Sequence, residues 1–270
     1  MRSRKPRPQQ STKSAHSASG QHRGGPRVPP AAAPAAANVL FEDQDLLVAL
    51  KPAGLATANV PRGEQSLLTC LRELLESRGG GATSAENQGF LGVVSRLDQP
   101  VSGVVVVARS REAAASLSAQ FRERTVEKTY HALVEGRFPG PIDETRIWND
   151  LLERPSSGPA DNATPHSPQE AVVEARLLAR GVEVSLVELR PTTGRRHQLR
   201  VQLGSRKCPI VGDRLYGSRL PFPCGIALHS SVLRIDHPST GQRLSFRSPW
   251  PESWQQAARG LVLPDLAASP

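Results

Sequence analysis

The chain has 270 residues, 38% of them hydrophobic, and a formal net charge of +9, enough for one large domain or two small ones around a sizeable core. No apolar run approaches the roughly 20 residues a membrane-crossing helix needs, and no signal-peptide core follows Met1. Three cysteines, Cys70, Cys208 and Cys224, show no C-x-x-C pair and no Cys/His cluster, which argues against a disulfide scaffold and structural zinc and fits a reducing, cytoplasmic setting.

Residues 1–38 hold seven Arg and Lys and no acid, so the remainder of the chain carries a net charge of only +2. This Ser-, Pro-, Gly- and Ala-rich segment lacks the large apolar residues that offset the entropy of ordering. It reads as a disordered basic arm adding non-specific RNA affinity. An organellar transit peptide is the competing reading; the many prolines and the missing amphipathic pattern speak against it.

A domain is expected over 39–255, with 256–270 as a short tail. Residues 46–50 read as a strand closed by the turn Lys51-Pro52-Ala53-Gly54. Leu67, Leu68, Leu71, Leu74 and Leu75 fall on one helical stripe within 66–77, and Gly79, Gly80 and Gly81 stop that helix. Next comes V-V-S-R-L-D-Q-P-V-S-G-V-V-V-V-A-R over 93–109, two strand-like segments around a loop forced by Pro100, Ser102 and Gly103. The β-branched run 104–108 predicts a strand buried on both faces. Asp98 should then be held rigidly at a strand end, and from this stretch it is equally a turn cap or a catalytic carboxylate.

A helix is predicted over 111–124 and a strand over 130–135, led in by Lys128-Thr129. A mobile surface loop is expected at 155–168. Strands follow over 172–178 and 182–189, then a hairpin of 227–235 with 243–246. Strands outnumber helices and most connections are short. The prediction is one α+β domain on a mixed, largely antiparallel sheet with flanking helices and loops.

Between Arg190 and Lys207 there are six basic residues and no acid, a patch suited to phosphates. Within it, a helix is expected to start near Arg196, putting Arg196 and Arg200 on one face and Leu199 and Leu203 toward the core. Two more stretches look built for a site: the loop Pro209-Ile210-Val211-Gly212-Asp213-Arg214-Leu215-Tyr216-Gly217 and Leu228-His229-Ser230. For His197 and His229, structural hydrogen bonding or phosphate contact is favoured over metal ligation.

Together, in this order behind S-R-L-D-x-x-x-S-G, these stretches resemble the RluA/RsuA-type pseudouridine synthases, and more closely the RluA-like branch, over residues 40–251. The family's H-R-L-D-x-x-T-S-G element corresponds to Ser95 through Gly103, its K-x-Y to Lys128-Thr129-Tyr130, and its T-G-R-T-H-Q-[IL]-R-V-H to Thr193 through Gln202. The G-D-x-x-Y-G and L-H-A elements follow, the second as L-H-S. Ser95, Val101, Arg196 and Gln202 depart from the family pattern.

The resemblance implies a pseudouridine-synthase-like domain whose active-site cleft crosses the sheet. It also implies isomerisation of specific uridines in structured RNA, rRNA or tRNA, without cofactor or metal. By that resemblance Asp98 corresponds to the catalytic aspartate, Tyr130 to the active-site tyrosine and Arg200 to the aspartate's basic partner. Breaking the C1′–N1 bond develops positive charge at the sugar, where an ionised carboxylate helps, and Arg200 beside a buried Asp98 would favour that ionised form. Tyr130 could stack on the extruded base or take its proton. Arg96, Arg195, Arg196, His197 and Gln198 suit the RNA around a flipped nucleotide. The expected protein is a monomer whose partner is RNA, with no membrane and no metal. A non-catalytic RNA-binding protein on the same fold is the alternative, disfavoured because Asp98, Tyr130 and Arg200 are all present. A base-excising hydrolase usually wants a second carboxylate, and a zinc deaminase needs H-x-E and P-C-x-x-C signatures that are missing.

Overall fold

The computed structural model describes residues 38–79, 89–153, 167–258 and 261. The expected arm, apart from Asn38, and most of the expected 155–168 loop lie outside them. Strand β1 (Asn38–Glu42) already includes Asn38 and pairs antiparallel with β2 (Leu46–Lys51). Helix α1 (Leu67–Ser77) follows a capping box in which the Ser66 hydroxyl accepts from the Thr69 N–H and the Thr69 hydroxyl accepts from the Ser66 N–H. Short β3 (Gly92–Val93) then pairs with β4 (Ser102–Ala108). Helix α2 (Arg111–Glu123) is capped by Ser110 and ends at Arg124, which takes a left-handed φ of 63°.

The β-branched strand behaves as its sequence predicts: all seven residues of β4 are buried. Val104, Val106 and Ala108 pack with Ala113 and Leu117 of α2. Val105 and Val107 pack with Leu67 and Leu71 of α1. A strand roofed by a helix on each face has no polar side to show, so its sequence loses the alternation of a half-exposed strand.

The chain continues through β5 (Glu127–Glu135), β6 (Thr145–Leu152), β7 (Gln169–Arg180), β8 (Val184–Pro191), α3 (Gln198–Ser205), a 3₁₀ turn (Arg214–Tyr216), β9 (Leu228–Asp236), β10 (Arg243–Arg247) and α4 (Ser253–Ala257). The sheet order is β1-β2-β4-β9-β5-β8-β7-β6, with β3 beside β4 and β10 beside β9. Among the described residues every strand pairing is antiparallel except β4 with β9. The result is the α+β architecture on a mixed, largely antiparallel sheet.

Three expectations change. The sequence reading missed β6, because this edge strand carries Ile147 and Leu151 outward, 70% and 73% exposed, and only Trp148 inward; its apolar pattern is inverted. Helix α4 runs past residue 255, where the tail was expected, and the burial of Trp254 and Ala258 explains why. Helix α3 begins at Gln198 rather than near Arg196, because His197 takes a left-handed φ of 55° just before it. Arg196 therefore lies outside the helix and shares no helical face with Arg200. Leu199 and Leu203 do face the core, and Gln198, Arg200 and Gln202 are buried with them.

The feature that positions the site is the parallel contact at the centre of the sheet. Strands β4 and β9 pair only at Ser102 with His229 and Gly103 with Ser230. A Cβ on Gly103, at φ +126°, would lie 2.3 Å from the Ser230 carbonyl oxygen, so only glycine lets these backbones meet. The Ser102 hydroxyl is 2.8 Å from His229 Nδ1, and His229 Nε2 is 3.0 Å from the Ser248 hydroxyl. Burial pushes the His229 pKa down to about 4, so this buried imidazole ties the strands as a neutral group. Beyond Gly103 the two strands stop pairing and the surface is open.

Candidate active site

Asp98 sits in the loop between β3 and β4, and its neighbours are tied on every side. The Thr57 hydroxyl donates to the Leu97 carbonyl (2.9 Å) and accepts from the Leu97 N–H (3.2 Å). The Gly54 N–H donates to the Gln99 carbonyl at 2.9 Å, the Ile226 N–H to the Pro100 carbonyl at 3.1 Å, and the Val101 N–H closes the turn on the Asp98 carbonyl at 3.0 Å. The 1%-exposed Lys51, at the end of β2, donates to the carbonyls of Pro52, Leu55 and Gln99 at 2.9, 2.6 and 3.1 Å. Burial pulls the Lys51 pKa down to about 7 against the attraction of the Asp98 carboxylate and the Cys224 thiol. The backbone is fixed and the Asp98 carboxylate, 30% exposed, projects from it. It is half-buried rather than buried as expected.

Arg200 reaches Asp98, but Asp98 is not its main partner. Its Nε and Nη2 donate to the two Asp213 oxygens at 2.7 and 2.8 Å, a bidentate pair whose side chains are 7% and 1% exposed. Nη1 lies 3.5 Å from Asp98 Oδ2, a marginal distance for a hydrogen bond. The guanidinium also sits 5.0 Å over the Tyr216 ring. The expected Asp98–Arg200 pair is thus the outer edge of an Asp213–Arg200–Tyr216 assembly. Asp213 and Tyr216 stood in the loop 209–217 and in the family's G-D-x-x-Y-G element with no role assigned; neither signal tied them to Arg200.

His197 completes the group. Its Nδ1 is 2.8 Å from the Tyr216 hydroxyl and its Nε2 3.7 Å from Asp98 Oδ2. Burial lowers its pKa, with Arg200 and Arg196 adding to the effect and Asp98 opposing it. The left-handed backbone of His197 turns the ring toward the carboxylate, a strain held by the packed helix behind it.

Tyr130 enters from β5 at an irregular register. Thr129 pairs with Val232 and Tyr130 with Ser230, so Ser231 is the extra residue of a bulge on β9. The ring is half-buried, and burial, with the Asp98 carboxylate nearby, pushes the phenol pKa up to about 12 against a hydrogen bond with Ser230. Asp98, Tyr130, His197 and Arg200 line one hollow of about 120 Å³, together with Leu228 and Val101.

Of the other expected site residues, Arg96, Arg195 and Gln198 line the same hollow and Arg196 does not. Arg96 is exposed at the mouth, and Arg195 lines the same hollow while its Nε donates to the Glu170 carbonyl at 2.9 Å. Arg196 is exposed close to His197 and Tyr216. Gln198, expected at the RNA surface, is 4% exposed. Its amide accepts from the Thr193 hydroxyl and the Arg195 N–H and donates to the Val172 carbonyl. Gln198 therefore shapes the 193–197 loop from within.

A family model described as RNA pseudouridylate synthase matches residues 45–205. The chain is 31% identical over 237 residues to the tRNA pseudouridine synthase C of Pectobacterium carotovorum, covering 80% of this chain and 60% of that protein. It is 34% identical over 242 residues to the ribosomal large subunit pseudouridine synthase D of Xanthomonas campestris, covering 83% of this chain and 69% of that one. Among solved structures, human RNA pseudouridylate synthase domain containing 4 superposes with a TM-score of 0.66 at 23% identity, over 84% of this chain and 95% of that one. That likeness speaks for the fold.

Proposed function

The chain belongs to the RNA pseudouridylate synthase family, and on that premise we propose that Asp98 is the carboxylate through which it converts uridine to pseudouridine in a structured rRNA or tRNA. The observation that carries the assignment is the setting of Asp98. It is a carboxylate projecting from a loop bonded at residues 97, 99, 100 and 101, in one hollow with Tyr130, His197 and Arg200.

Isomerisation breaks C1′–N1, turns the uracil, joins C5 to C1′, removes the C5 proton and leaves a proton on N1, with no change in composition. Positive charge develops at C1′ as the first bond breaks, and a fixed carboxylate in a partly dry hollow stabilises it best. Because Arg200 is satisfied by Asp213, Asp98 keeps a cation nearby without being locked into a bidentate pair. A phenol with a pKa near 12 holds its proton at neutral pH, which favours Tyr130 as a stacking face and hydrogen-bond donor over a base.

The names of the two bacterial relatives point one to tRNA and the other to large-subunit rRNA, and an RNA of one of these classes is the substrate proposed here. The test is tritium release from unmodified, C5-tritiated transcripts of both classes from the same genome. Asp98→Asn should stop release while RNA affinity stays within about twofold. An Asn variant with near-normal turnover would overturn the assignment.

A further inference from the structure

Beside the catalytic hollow, where β4 and β9 stop pairing, lies a larger cavity of about 460 Å³. Val104, Phe121 and Leu233 give it an apolar floor. Arg96, Arg122, Arg124, Lys128 and Arg195 line it, and no Asp or Glu does. The two cavities adjoin, and Lys128 also borders the hollow that holds Asp98; the acids at the end of α2 and the start of β5 are engaged elsewhere. Glu127 alternates to the opposite face of β5, where it bonds Arg234 at 3.0 Å and Arg243 at 2.7 Å. Glu123 lies 3.9 Å from Arg122, and both are exposed. Lys128 has no hydrogen bond or ion pair among the described residues, while burial first and then Arg124 lower its pKa.

A half-buried ammonium facing an arginine, with no ion pair of its own and no carboxylate lining the cavity, is unfavourable until an anion joins them. Attraction to the α2 C-terminus accounts for Arg122 and Arg124; it does not account for Lys128, which comes from β5. Lys128 also lies on the same face as Tyr130, one strand repeat or roughly 6.7 Å away. An anion held there is a near neighbour of a base lying on Tyr130.

We propose that this cavity receives the nucleotide adjoining the target uridine, with its phosphate between Arg124 and Lys128 and its base over the Phe121–Leu233 floor. The inference rests on the isomerase reading above. It makes the identity and flexibility of that neighbour part of target selection, since only an unstacked nucleotide reaches the floor.

The test uses the full chain and the same unmodified transcripts, with binding measured across a salt series. Arg124→Gln and Lys128→Gln should each reduce the slope of log K against log salt by about 0.7, the value of one lost single-strand phosphate contact. Arg72→Gln, an exposed change on α1 that lines neither cavity, should leave the slope at its wild-type value. Arg124 is exposed, so its Gln variant is decisive even if Lys128→Gln unfolds. Slopes for Arg124→Gln equal to those for Arg72→Gln, in a wild-type protein that makes pseudouridine, overturn the cavity and leave the isomerase reading standing. No pseudouridine in any transcript overturns that reading and the nucleotide assignment with it.

Discussion

Asp213→Asn removes the charge around which Arg200 is arranged while keeping the size of the side chain. The two partners are 7% and 1% exposed and joined by bonds of 2.7 and 2.8 Å, so the change leaves a buried guanidinium without its carboxylate. Breaking one side of such a pair costs about 3–5 kcal/mol. Asp98, 3.5 Å away and 30% exposed, offers partial compensation and favours the lower end, about 3 kcal/mol. At about 2–4 °C per kcal/mol for a domain of this size, the melting temperature should fall by about 6–12 °C. Arg200 should also swing onto Asp98 and pair with it more closely, which removes the carboxylate from the sugar and slows turnover by about tenfold for each 1.4 kcal/mol of added pairing. Circular dichroism melts and tritium release measure the two effects separately. The double variant Arg200→Met/Asp213→Leu deletes both charges, so it should regain most of the stability while staying inactive. An Asn variant melting within about 2 °C of the wild type, or a double variant no more stable than the single one, would refute the reasoning.

Tyr130→Phe should retain turnover within about tenfold and Tyr130→Ala lose far more, because a phenol held near 12 contributes its ring rather than its base strength; a loss of 10² or more for Phe, the scale of general-base catalysis, would reverse that role. Lys51→Met leaves the carbonyls of Pro52, Leu55 and Gln99 without their donor. At about 1–3 kcal/mol per unsatisfied buried group it should cost at least 3 kcal/mol by urea unfolding and slow turnover through the loosened Gln99 turn; unchanged unfolding would show that water replaces the ammonium. His131 and His229 are pushed down to about 3 and about 4 by burial. Their folded pKa values lie below the ordinary 6.5, so the unfolded chain takes up protons first as pH falls. The stability linked to them is complete above pH 6.5 and is lost toward pH 4, at up to about 1.4 kcal/mol per pH unit for each histidine. Equal urea midpoints at pH 7 and pH 5 would contradict this.

Much of the frame was legible because the residues that form it have local signatures. The run 104–108 announced a strand buried on both faces, and the leucine stripe of 67–75 announced the helix that covers one of them. What escaped depends on neighbours distant in sequence. Asp213 lies 13 residues from Arg200 and meets it only because α3 and the 3₁₀ turn pack together. Lys51 reads as an ordinary turn lysine until Gln99 arrives from 48 residues away. Gln198 and His197 sit inside a motif that looked like a phosphate-binding surface; the left-handed residue at 197 sends one side chain inward and the other toward Asp98. No periodicity encodes that turn.

The same contact explains why the Asp98 carboxylate and the cavity lined by Arg124 and Lys128 are neighbours. Strands β4 and β9 run parallel and touch for two residues, at a glycine that admits no side chain and a serine that bonds a neutral histidine. Before that contact the chain turns through the tied Asp98 loop; after it, the strands part over an apolar floor. A bulkier residue at 103 would separate the strands and move Asp98 relative to Tyr130, whose own place on β5 is set by the bulge at Ser231 on β9. Gly103→Ala should therefore fail in turnover before it fails in folding, because β4 keeps its antiparallel partner β2 and the cores under α1 and α2. A variant that folds with normal turnover would show that the two sides of the site are positioned independently.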